Sequence, residues 1–148
     1  RQMCIRDRQT ADDRLLKIKS DHYRLLHRAV EGPNAKRAHW QLVLENSDAD
    51  LMAVGRLRGQ DFAVVVEDVQ LALRDTARRL SVQLDDSEPK RQLASRLEAY
   101  PGMLRRVAFR AKDGADLGEE LRKLALECCG SESRFRQCMQ ALEVAYES

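Results

Sequence analysis

VGRLRGQDFAVVVED, residues Val54–Asp68, admits two folds. Four of the ten valines fall between Val64 and Val69, at its C-terminal end. Ile and Thr occur only twice each, so strand-forming capacity rests on valine and is concentrated here. The polar group Arg58-Gly59-Gln60-Asp61 between apolar segments reads as the turn of a β-hairpin, with strands at about 52–58 and 61–67. A second reading uses the same residues at helical spacing. Phe62, Val66, Val69, Leu73, Thr76 and Leu80 form a 3–4 repeat inside one long helix from about Asp48 to Leu84. Gly55 and Gly59 would then each cost about 1 kcal/mol relative to Ala.

Outward from this stretch the chain is helix-forming. Helical patterning begins after Ser20 and stops at Glu31-Gly32-Pro33-Asn34. Residues 35–46 fit helix or strand, and their Ala, Lys, Arg, Gln and Glu favour helix. A loop is expected at 46–50. Helices are expected over 69–84, 89–99, 116–128 and 132–146, while 103–111 stays open between helix and strand. Arg1–Arg8, RQMCIRDR, resembles translated sequencing-adaptor read-through; residues 1–10 are set apart as a non-native or disordered segment, with the true chain starting further upstream. Residues 11–148 form a single domain.

With 148 residues, 43% hydrophobic and 34% charged, the chain can bury a core without disulfides. A net charge of +2 gives no reason to expect nucleic acid or a membrane surface as partner. No apolar run approaches 18 residues. Cys4, Cys128, Cys129 and Cys138 have no disulfide-like spacing, which suggests free thiols and a cytoplasmic location. The three histidines have no zinc-type spacing with them. Cys128-Cys129 with Cys138 reads as a redox or metal cluster or, more simply, as small residues packed between helices. Arg105, Arg106, Arg110 and Lys112 read as a solvated face.

If 58–61 is a hairpin turn, its N–H groups could receive a phosphate. Asp61, together with Asp12 ahead of the strand-like LLKI, could hold a divalent cation. On these residues the stretch resembles the signature hairpin of the GGDEF (diguanylate-cyclase) family, close to VaRLGGDEFaVll. Arg56, Leu57, Gly59, Phe62 and Ala63–Val66 match. Residues 107–122, VAFRAKDGADLGEELR, resemble the family's strand-turn-helix segment through Asp113, Gly114, Asp116 and Leu121. Upstream, DDRLLKIKSDHY resembles DiDhFKxiNDxY through Asp12, Lys17, Asp21 and Tyr23.

The resemblance implies an α+β fold, a nucleotide-cyclase-like antiparallel sheet with flanking helices; the alternative is an all-α helical bundle. It implies metal positions at Asp12 and Asp61, with Mg2+ if nucleotide binding is retained. Nucleotide or phosphate positions would be Gly59, Ser20 and Asp21. The departures point to lost catalysis. Arg58 stands for the first glycine, Gln60 for the metal carboxylate, Asp61 for Glu and Ser20 for the guanine-contacting Asn. The family's buried Ser-Ile-Gly strand is replaced by Leu104-Arg105-Arg106. The expected function is a catalytically degenerate, bacterial-type signalling or regulatory domain. It would pair with a protein partner or a second copy, with residual GTP or cyclic di-GMP-related binding. The alternative function is a small all-helical adaptor without enzymatic activity.

Overall fold

The computed structural model describes residues 6–9, 15–18, 21–33 and 35–146. Two short strands, β1 (Arg6–Gln9) and β2 (Leu15–Ile18), pair antiparallel with Arg6 opposite Ile18 and Gln9 opposite Leu15. The strand-like LLKI is thus a strand, but its partner lies ahead of it. Eight helices follow: α1 (Asp21–Glu31), α2 (Ala35–Leu44), α3 (Asp48–Arg58), α4 (Ala63–Ser81), α5 (Lys90–Arg96), α6 (Gly102–Lys112), α7 (Leu117–Cys128) and α8 (Glu132–Ala141).

The α+β expectation is therefore corrected: residues 21–146 carry helices, and the proposed hairpin is a helix–helix corner. The strands expected at 52–58 and 61–67 fall in α3 and α4. The helical repeat decides the outcome. Phe62, Val69, Thr76 and Leu80 are buried, with Val66 and Leu73 half-buried beside them. Two-residue alternation would have buried Val64, which is 61% exposed. The single long helix of the second reading is also corrected, because the chain breaks at Gly59. There φ is +68°, Gly59 N–H donates to Arg56 O at 3.4 Å, and Gln60 N–H donates to Gly55 O at 2.8 Å. This pair of bonds is a Schellman termination. The same motif ends α2 at Asn46, α6 at Gly114 and α8 at Glu143.

The loop expected at 46–50 is shorter than that, since α3 starts at Asp48. The open segment 103–111 is helix. Leu104, Val107 and Ala108 face inward, so Arg105 and Arg106 stand in solvent instead of in a buried strand.

The core is built around α2. It buries Ala38, Trp40, Leu42, Val43 and Leu44, apolar nearly all round, and it touches α1, α3, α4 and α7. His22 Nε2 lies 2.9 Å from Asp50 Oδ2, and Arg58 Nη1 lies 3.0 Å from Glu31 Oε1. These contacts match start to start and end to end, so α1 and α3 run the same way. On the far side, Trp40 meets Phe135 edge-on, with ring centroids 6.0 Å apart. Residues 142–146 fold back over this contact. Lys36 Nζ donates to Ala145 O, Arg79 pairs with Glu143, and the Tyr146 hydroxyl donates to Glu132.

A tight approach closes the α3–α4 corner. A Cβ on Gly55 would stand 2.6 Å from Gln60 O and 2.6 Å from Phe62 Cδ2. In an ordinary helix interior Gly→Ala stabilises by about 1 kcal/mol. Here Gly55→Ala should destabilise by about 1–3 kcal/mol through overpacking. Chemical denaturation would show this as a lower midpoint with an unchanged slope.

Candidate functional site

Those of the expected nucleotide and metal positions that are described, Asp21, Gly59 and Asp61, do not come together. Asp12 and Ser20 lie outside the described residues. Asp21 opens α1, is exposed, and sits 3.7 Å from Arg24. Gly59 and Asp61 are in the α3–α4 corner, at the other end of the α1–α3 pair; from Asp50, beside α1's first turn, to Gly59 is roughly 13 Å of helix. The corner does not fit a phosphate or Mg2+. The N–H groups of Gly59 and Gln60 are taken by α3 carbonyls. One Asp61 oxygen already accepts from Ala63 N–H at 2.9 Å, at the start of α4. Among the described residues no group of three His, Cys, Asp or Glu is placed to hold a metal ion.

A large concavity lies elsewhere, between α2, α4 and the returning segment 142–145. It has a volume of about 950 Å3. Its floor is apolar: Trp40, Val65, Ala72, Leu142 and Val144. Its α4 rim carries Asp68, Leu71, Asp75 and Arg78. Leu71, 46% exposed, adds an accessible apolar side chain beside this floor. The α4 positions recur at three and four residues, one face next to the buried stripe.

The charged groups in the groove fall into two sets. Lys36 and Arg79 are committed to Ala145 O and Glu143, and so hold the returning segment. Asp68 and Asp75 have no ion-pair partner among the described residues. They lie two turns apart, about 10.5 Å, on either side of Leu71.

His39 forms the inner wall. Its Nε2–H donates to Ala29 O at 2.6 Å, and its ring lies 4.8 Å from that of Phe62. It therefore joins α1, α2 and the α3–α4 corner at the groove's edge. Burial pulls its pKa down, against a smaller upward effect of the bond to Ala29. Nothing local to His39 in the sequence announces the carbonyl of Ala29 ten residues earlier. Cys128, Cys129 and Cys138 are all buried, in keeping with small residues packed between helices.

No family model, curated protein or solved structure matches this chain.

The His39 shift fixes a pH dependence. Its folded pKa lies below the usual 6.5, so the unfolded chain takes up a proton that the folded state refuses. Stability should be complete above about pH 6.5, fall as pH drops below it, and level off beneath the folded pKa. His39→Gln, which keeps an N–H for Ala29, should flatten that slope in denaturation midpoints measured across the range.

Proposed function

We propose that this chain is a helical interaction module whose α2–α4 groove takes an amphipathic helix of a partner protein with basic residues along its polar edge. The observation that carries this reading is the pair Asp68 and Asp75, unpaired and two turns apart around the half-exposed Leu71. A partner helix lying along α4 would place cations at i and i+7 against the two carboxylates. Its apolar stripe would meet Leu71, Ala72 and Val65. Helix-in-groove recognition has this form: apolar anchors at 3–4 spacing supply affinity, and flanking charges set orientation. The helical architecture of residues 21–146 supports it, because a groove between packed helices needs no further element to form.

A synthetic amphipathic peptide without Trp, with leucines at helical spacing and flanking lysines, tests the reading, alongside its Lys→Glu counterpart. Trp40, the only tryptophan, lies in the groove floor and reports binding by fluorescence. The lysine peptide should bind, and the glutamate peptide should bind at least about tenfold more weakly. Asp68→Asn with Asp75→Asn should weaken the lysine peptide about 3- to 10-fold. Leu71→Asp should abolish binding with the helical spectrum unchanged. Equal binding of both peptides, indifference to Leu71→Asp, or a second copy of the chain filling the groove in sedimentation would overturn the proposal.

A further inference from the structure

Between α6, α7 and α8 lies a second, smaller cavity of about 170 Å3, and Cys128 is among the residues that line it. The volume suits a molecule of a few heavy atoms. Its charged lining comes from all three helices: Arg106 and Arg110 from α6, Glu120, Lys123 and Glu127 from α7, and Arg134 from α8. Glu120 is neutralised locally, with Arg110 Nη1 at 2.9 Å and Lys123 Nζ at 3.1 Å. Arg106 and Arg134 remain to face the sulfur, against Glu127 alone.

Cys128 is also hydrogen-bonded to Cys138, which is fully buried on α8. Cys128 ends α7 and Cys138 lies in the middle of α8, so two thiols from consecutive helices touch behind the cavity. Cys129, by contrast, turns away into a different cavity beside Gly32 and Pro33.

We propose that Cys128 and Cys138 are an oxidisable dithiol whose oxidant is a small hydroperoxide entering the cavity between α6, α7 and α8. The Cys128 thiolate attacks the terminal oxygen of ROOH. An S–O bond forms, the O–O bond breaks, and RO− leaves with a proton from solvent as ROH. Sulfur is oxidised by two electrons and the peroxide reduced by two. The Cys138 sulfur then attacks the Cys128 sulfenic acid. An S–S bond forms, the S–O bond breaks, and hydroxide leaves with the Cys138 proton as water. In sum, two thiols and ROOH give a disulfide, ROH and water. A dithiol reductant reverses the bond.

The surroundings divide the roles between the two sulfurs. The hydrogen bond from Cys138, aided by Arg134 and Arg106, brings Cys128 down to about 7, while burial pushes Cys129 up to about 12. Cys138 is pushed up, first by its hydrogen bond to Cys128 and then by burial. The first cause disappears once Cys128 carries a neutral sulfenic acid, which is when Cys138 is needed as the nucleophile.

The test uses the reduced full chain with Cys4→Ser, one equivalent of hydrogen peroxide, and non-reducing tryptic mapping. Cys128 and Cys129 share the peptide Leu124–Arg134, and Cys138 lies on Gln137–Ser148. The two peptides should become disulfide-linked, and still be linked in Cys129→Ser. Cys128→Ser should lose the link. Cys138→Ala should leave a sulfenic acid that dimedone traps at Cys128, read in the folded chain without any need for the disulfide. The oxidation rate should rise about tenfold from about pH 6 to pH 8 and then level off, whereas an ordinary thiol would keep rising beyond about pH 8.5. Linkage through Cys129, dimedone on Cys129, or no oxidation until the chain is denatured would each overturn the proposal.

Discussion

Trp40 cannot be left uncovered, and the packing follows from that constraint. It is the largest side chain in the core, 2% exposed, on a helix that also buries Leu42, Val43 and Leu44. Removing such a side chain from a packed core costs about 3–5 kcal/mol, a large part of the stability of a domain of this size. A helix apolar on nearly every side needs neighbours on every side. α1 and α3 cover one flank, α4 and α7 another, and Phe135 with the returning segment closes the last. The groove along α4 marks where this enclosure stops short.

The corner at Gly59 shows why two folds were compatible with one stretch of sequence. A positive-φ glycine serves equally as the turn of a hairpin and as the residue just past a helix end. Gly59 signals a reversal and leaves its kind undecided. The decision comes from longer-range spacing: the stripe Phe62–Val69–Thr76–Leu80 spans five turns, too much burial to forgo for three valines. Phe62 then packs on Gly55 and His39, a contact that fixes the corner's angle and that no local pattern foretells. The motif DGAD has a similar explanation. Gly114, at φ +98°, ends α6, and Asp116 caps α7 by accepting from Glu119 N–H at 2.8 Å. Both residues serve helix termini here.

Helix positions at α1, α5, α7 and α8 were readable because their apolar residues recur at three and four and their ends carry Gly, Pro or a capping side chain, whereas α2, whose spacing fits helix or strand, was readable only through its helix-forming composition. The groove was not, because its walls come from residues 36–40, 65–79 and 142–145, which only the packed fold brings together. The cysteine cluster falls between. Its residues are conspicuous in sequence, but which thiol meets a cavity and which meets its partner depends on how α8 turns against α7. Glu143 is the clearest case of something invisible from sequence: a glutamate held in the left-handed region at φ +59°, an arrangement that costs roughly 1–2 kcal/mol and that the ion pair with Arg79 helps to offset.

The returning segment also sets an order of events during synthesis. Trp40 leaves the ribosome long before Phe135, Leu142 or Tyr146 exists to cover it. At roughly 5–20 residues per second, the indole is exposed on one flank for on the order of 5–20 s. Helices α1 to α4 can associate in that interval, but the nascent chain carries an open aromatic surface until α8 arrives. Such intermediates are what chaperones hold and what aggregation captures. A contact made by residues 135–146 thus governs the fate of a helix synthesised well before them.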